Sequence, residues 1–165
     1  MIYATVQDMI DRFGELEMIQ LTDTVNIPQS TVDVARVEVK LGDASAFVDG
    51  YIGQVYRMPL RGCAKPVTTP GGAIEYTPPP VLTRIACDVA RYYLHDDLAP
   101  EHEVYRRYQA CIKELDAIVA GKSMLACPWG GSPGDLVSND AQTGREVGFE
   151  FGRRFIDEDV SGSYA

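Results

Sequence analysis

Long apolar runs, closely spaced cysteine pairs and an excess of basic residues are all missing from this chain. No stretch approaches the roughly 18 consecutive apolar residues that a membrane span needs, and no basic segment followed by an apolar one opens the sequence. The expectation is a soluble protein that stays where it is made and has no membrane partner. Lys and Arg number 15 against 24 Asp and Glu, for a formal charge of −9. That balance argues against wrapping nucleic acid, because nonspecific affinity comes from basic groups that neutralise phosphates. The four cysteines, Cys63, Cys87, Cys111 and Cys127, are widely spaced and include no CxxC pair to suggest zinc or redox work. They are expected to be reduced, as in a cytosolic protein, with Cys87 and Cys111 acting as small hydrophobes inside helical patterns.

Catalytic signatures are missing as well. There is no GxSxG elbow, HExxH, GxGxxG or Walker sequence. Gly130-Gly131-Ser132-Pro133-Gly134 superficially resembles a phosphate cradle, but it lacks the lysine and the preceding strand, so it reads as a turn. The one cluster with metal-ligand chemistry is His95, Asp96, Asp97, Glu101, His102 and Glu103. A polar corner between two helices is expected to be acidic without holding any ion. Arg84, Arg91, Arg106 and Arg107 are interleaved with carboxylates and read as a solvated face. The expectation is a protein that is not an enzyme and uses no cofactor or metal. The alternative kept beside it is a small helical metal-binding regulator or enzyme centred on His95 and His102.

What the chain does contain is helical periodicity. With 165 residues, of which 45% are hydrophobic, it can bury one core and leave a tail over. Thr5 with Asp8 forms a capping signal ahead of Val6, Met9, Ile10 and Phe13, and Gly14 ends that helix. A short apolar pattern from 16 to 21 follows. From 31 to 56 the apolar positions Val34, Val37, Leu41, Ala44, Val48, Tyr51 and Val55 alternate by three and four, predicting a helix of about 24 residues and near 36 Å. The triple proline ending at Pro80 opens a helix over 81–97, with Leu82, Ile85, Ala86, Val89 and Tyr93 on one face. Pro100 opens another, with Val104, Tyr108, Cys111, Ile112, Leu115, Ile118 and Val119, which stops at Gly121. The short connection makes these two helices antiparallel neighbours, and Glu103 and Arg107 sit four apart on the solvent face.

Between Arg57 and Pro80 the helical pattern gives way to a long Pro- and Gly-rich loop, in which Val67 and residues 73–76 are placed to pair as a small β-hairpin around Pro70-Gly71-Gly72. Loops of this length carry function, so Arg61, Lys65, Val67, Thr68, Thr69 and Glu75 are candidate contact residues. Beyond Gly121 the pattern fails for good. In the polar, acidic end of the chain, Arg145, Phe149, Phe151, Arg153, Arg154, Phe155 and Ile156 form a cluster of the residue types that carry binding energy at interfaces. That cluster reads as an arm that orders on a partner, the alternative being that it folds back on its own domain. The whole is a mainly all-α protein, a bundle of about four to five helices: a helical domain at 1–125 and an extended C-terminal arm at 126–165.

Several stretches resemble the head-to-tail adaptor (connector) proteins of tailed bacteriophages. They are Ala44-Ser45-Ala46-Phe47-Val48-Asp49-Gly50-Tyr51-Ile52, Arg57-Met58-Pro59-Leu60, Pro79-Pro80-Val81-Leu82-Thr83-Arg84-Ile85-Ala86-Cys87-Asp88-Val89-Ala90-Arg91-Tyr92-Tyr93-Leu94, and the block from Arg106-Arg107-Tyr108 to Gly121-Lys122. The opening Tyr3-Ala4-Thr5-Val6-Gln7-Asp8-Met9-Ile10-Asp11-Arg12-Phe13-Gly14 is similar to the branch found in Mu-like phages. The resemblance implies a structural virion protein at the head-tail joint, made in the bacterial host cytoplasm. It implies a ring of copies, typically twelve, beneath the portal protein, which extends the channel for DNA without sequence-specific binding and meets stopper or tail proteins. It also implies that the arm docks on the portal and that the 57–80 loop faces the channel. Another virion joint, such as a tail-completion protein, is the neighbouring alternative.

Overall fold

Thr5 opens the first helix, α1 (Val6–Phe13), through a reciprocal capping box. Its hydroxyl accepts from the Asp8 N–H at 3.2 Å, and the Asp8 carboxylate accepts from the Thr5 N–H at 2.7 Å. Gly14, at φ +88, closes α1 and leads directly into α2 (Glu15–Thr22), a turn whose left-handed backbone suits glycine. The computed structural model describes residues 1–67, 72–95 and 102–137. Within them follow α3 (Val34–Ile52), β1 (Cys63–Ala64), β2 (Tyr76–Thr77), α4 (Pro80–Leu94) and α5 (Glu103–Val119).

α3 is 19 residues long, shorter at both ends than the periodicity predicts. Its start is displaced by Asp23, whose buried carboxylate accepts hydrogen bonds from the backbone N–H groups of Val25, Asn26, Ser30 and Thr31 at 2.9–3.2 Å. Those bonds commit residues 30 and 31 to the loop. Thr22 Oγ1 accepts from the Asp33 N–H at 3.0 Å, and the Asp33 side chain caps the helix at the Arg36 N–H. The same network holds Val25 and Ile27 out in solvent, 86% and 99% exposed. At the far end, Tyr56 leaves the helix to bridge Leu136.

α4 and α5 pack antiparallel, because Arg84 meets Glu114, Asp88 meets Cys111 and Tyr92 stacks on Tyr108 as one runs up and the other down. α3 lies across both and packs most extensively on α4. Its stripe of Val37, Leu41, Ala44, Val48, Ile52 and Tyr56 is buried, facing Leu82, Ile85, Val89 and Leu115 in one core. α1 and α2 close one side. Arg91 of α4 forks onto Glu17 at 2.6 and 2.9 Å and lies 4.5 Å over the Phe13 ring, a planar match that a lysine would not reproduce. The N-terminal segment is strapped to α3: the Met1 amino group pairs with Asp49 at 3.1 Å, Tyr3 donates its N–H to Ser45 at 3.3 Å, and its hydroxyl bonds Asp49.

α5 is capped by the His102 side chain, which accepts from the Val104 N–H, while Pro100 lies outside the described residues. Gly121, at φ +69, ends it as the sequence anticipates, and the Lys122 N–H reaches back to the Ala117 carbonyl at 2.9 Å. The hairpin exists, but its pairing is Cys63 with Thr77 and Ala64 with Tyr76, further from the turn than the Val67 and 73–76 pairing the sequence suggests. The fold is thus mainly α with one minimal two-stranded sheet, and no helix among the described residues is long and apolar enough to cross a membrane.

Two outcomes follow from this packing. Leu115, fully buried, is expected to cost about 3 kcal/mol when cut to alanine, measured by urea unfolding. Asp23 is held well below the usual carboxylate range, chiefly by the Ser30 and Asn26 backbone N–H groups. Its contribution is therefore complete above the unfolded pKa of about 4 and is lost as pH falls toward the lowered folded value. Unfolding followed across acidic pH is expected to show a shallower loss of stability for Asp23→Asn than for the wild type.

Candidate interaction site

The sequence singles out a loop and an arm separately; the fold fastens the loop to the chain that leads into the arm. After α5 the backbone returns across the end of α3. Leu125 donates its N–H to the hydroxyl of buried Tyr56 at 3.0 Å. Arg57 N–H bonds Asp135 O at 2.8 Å, Gly62 N–H bonds Pro133 O at 2.9 Å, and Val137 N–H bonds Val55 O at 2.8 Å. Residues 126–137, assigned from sequence to the arm, therefore lie against 55–63.

A disulfide joins the two strands of this clasp: Cys63 in β1 bonds Cys127, with Cα atoms 5.3 Å apart. This corrects the expectation of four reduced cysteines. The pair is 64 residues apart in sequence, so only the tertiary return of the chain brings the sulfurs together, and spacing rules for local motifs are blind to it. Cys87 and Cys111 are free and buried as expected. Burial pushes each thiol up to about 12, so neither is a ready nucleophile.

Two glycines permit close approaches here, Gly62 to the hairpin strand and Gly134 to the 56–60 stretch. Gly62 sits at φ +88, and a Cβ there would lie 2.9 Å from the Thr77 carbonyl oxygen; a Cβ on Gly134 would lie 2.9 Å from the Leu60 side chain. Cys127 and Gly131 close a tight turn that presents Trp129, the sole tryptophan of the chain, half-exposed at its tip. In the 57–80 loop and the returning segment Met58, Val67, Ile74, Tyr76, Met124 and Leu136 are also exposed. Nearly half of the large apolar side chains exposed among the described residues belong to these two segments. Tryptophan and tyrosine in such a setting are typical anchors of protein interfaces.

Of the candidate loop residues, Arg61 pairs with Asp135 at 3.8 Å and Lys65 with Glu75 at 3.3 Å, both exposed, and Val67 is exposed. Thr68 and Thr69 lie outside the described residues. So do Arg145, Phe149, Phe151, Arg153, Arg154, Phe155 and Ile156 of the arm. Sequence reasoning passed over Trp129 as part of a turn and gave Tyr56 no role. The single tryptophan of the chain, set between Pro128 and the turn glycines Gly130 and Gly131, was the available signal.

At the helical corner, the His95 and His102 rings lie 5.9 Å apart and line a cleft of about 460 Å³ with Phe13, Leu16, Glu17 and Arg91. His102 is engaged as a helix cap and Glu103 pairs with Arg107 at 2.6 Å. Asp96, Asp97 and Glu101 lie outside the described residues. Among the described residues no group of three or more His, Cys, Asp or Glu side chains is disposed to hold a metal. The basic positions are more engaged than a solvated face implies. Arg84 bridges Glu114 and Asp88, Arg107 reaches Asp88 at 4.0 Å, and Arg91 is largely buried in its clamp.

If the clasp needs the left-handed backbone at Gly62, Gly62→Ala is expected to destabilise the protein by roughly 1–3 kcal/mol. Hydrogen exchange is expected to accelerate first across 55–64 and 122–137.

The family described as "Bacteriophage Mu, Gp36" matches residues 3–135, which takes in the five helices of the described residues, the hairpin and most of the clasp. The "Mu-like prophage FluMu protein gp36" of Haemophilus influenzae is 29% identical over 124 residues, covering 75% of each chain. "Gene product J" of Escherichia phage Mu is 29% identical over 123 residues, covering 74% of this chain and 75% of its own. With the family matched over residues 3–135, from the N-terminal segment to the returning segment, the chain belongs to the bacteriophage Mu Gp36 family.

Proposed function

We propose that this protein is a structural component of a Mu-like virion, an adaptor that joins head to tail. Copies form a ring under the portal, and the ring extends the DNA channel. The observation that carries this reading is the clasp: an apolar, tryptophan-bearing surface built from the 57–80 loop and the chain leading into the arm, on a member of a phage Mu family. A protein whose best-developed feature is a displayed apolar surface on a helical scaffold is suited to assembly. The net charge of −9 fits a conduit, since an acidic wall repels phosphates and lets a duplex slide.

In this reading the arm, with Phe149, Phe151 and Phe155 among Arg145, Arg153 and Arg154, docks on the portal, while the loop faces the channel or the neighbouring copy. Truncation before Asp140 is expected to leave the helices folded by circular dichroism and to abolish retention on immobilised portal protein; undiminished retention would contradict the assignment. Retention on tail tube in place of portal would instead favour a tail-completion protein. The double variant His95→Ala/His102→Ala is expected to assemble as the wild type does, with unchanged metal content by elemental analysis.

A further inference from the structure

We propose that the Cys63–Cys127 pair is a redox latch, open as a dithiol in a reducing cytosol and closed by oxidation outside it, whose closure fixes the point where the C-terminal segment leaves the fold. The latch itself stands on the geometry of the clasp. Its consequence for docking rests on the proposed role of the arm.

The returning segment is lightly held by everything except the disulfide. It adds no helix to the bundle and touches 55–62 through three backbone hydrogen bonds, two of which make the Tyr56–Leu136 bridge, together with the exposed Arg61–Asp135 pair and the Tyr56 hydroxyl. The five helices share a core to which this segment contributes Leu125 alone. A peripheral strip with few buried groups is the kind of unit that opens while the rest stays folded. Breaking the covalent tie therefore releases the strip, and the helices remain.

The chemistry is confined to one pair. Cys87 and Cys111 are buried in α4 and α5, with thiols pushed up to about 12 by burial, so they are poor partners for exchange. Cys63 is fully buried and Cys127, on the peripheral strip, is 8% exposed, so Cys127 makes the first exchange in the proposed latch. The oxidant is a low-molecular-weight disulfide, the species that sets thiol balance in most compartments. Cys127 loses its proton to solvent, and the thiolate attacks one sulfur of that disulfide. The small S–S bond breaks, one small thiol leaves, and a mixed disulfide remains on Cys127. The Cys63 thiolate then displaces the second small thiol. Two protein thiols are oxidised to one disulfide, and one small disulfide is reduced to two thiols. Thiols stay reduced in an ordinary cytosol and pair in oxidising surroundings, so a particle component made inside a cell and used outside it would pass through this step once.

The test uses the full chain in its native state. It is equilibrated with dithiothreitol or with oxidised glutathione, then followed by alkylation with mass analysis, hydrogen exchange and Trp129 fluorescence. On reduction, Cys63 and Cys127 are expected to alkylate while Cys87 and Cys111 stay protected. Exchange across 122–137 is expected to rise at least tenfold with α3, α4 and α5 unchanged, and Trp129 emission to shift. Oxidised glutathione is expected to reverse all three, and Cys63→Ser is expected to show the open pattern without reductant. Equal exchange at 122–137 in both states would overturn the proposal. So would loss of protection in the helices together with the strip, which would make the bond a staple of the whole fold. If Cys63→Ser fails to fold, reduction of the wild type decides alone. No partner enters these readings, so they stand or fall apart from portal binding, which is scored separately on the oxidised and reduced chain.

Discussion

Burial of one stripe on α3 is the constraint from which the rest of the structure follows. Val37, Leu41, Ala44, Val48, Ile52 and Tyr56 are removed from water along its length, and each needs a facing surface that α3 cannot provide for itself. α4 and α5 supply it as an antiparallel pair. At roughly 25 cal/mol per Å² of apolar surface removed from water, such a stripe outweighs any single polar contact on the surface. The last residue of the stripe also carries a hydroxyl. Tyr56 thus ends the core and begins the clasp, accepting from Leu125 and bridging Leu136.

The polar interactions refine this arrangement without creating it. Asp23 sets where α3 can begin, and the Arg91 fork onto Glu17 sets how α2 lies on α4. Asp88 is the costly member of the set. Burial raises its carboxyl pKa against the pull of Arg84 and Arg107, so the charged form is tolerated between helices because two guanidinium groups face it. Tyr92, Tyr93, Tyr105 and Tyr108 add a half-buried aromatic layer where α4 meets α5, which keeps the two helices in register.

Local signals were legible and tertiary ones were not. Thr5, Gly14, Pro80 and Gly121 mark helix ends through side-chain capping, fixed φ or left-handed backbone, effects that act within one turn, and the structure places helix boundaries beside each of them. The ends of α3 are set by Asp23 and by the returning chain, which act across space, so the heptad pattern ran past both. The register of the hairpin was missed for the same reason: the disulfide and the Gly62 bond to Pro133 hold the strands at 63–64, away from the turn. The candidate site was half legible. Composition marked the 57–80 loop, and Arg61, Lys65 and Glu75 are exposed there, but nothing local indicates that Cys63 meets Cys127 or that Trp129 stands at the tip of the clasp.

The scaffold and the surface it displays account for each other. The helices build the core almost entirely from their own side chains, with Leu125 the one member from the returning segment, which leaves that segment and the loop beneath it to serve contact. The proposed role at the head-tail joint is tested most directly by imaging a particle that carries this chain and tracing it in the density. The account predicts a closed ring of copies between portal and tail, with the clasp at an interface and the channel wall predominantly acidic. Absence of the chain from the mature particle, or a ring with a strongly basic lumen, would contradict it.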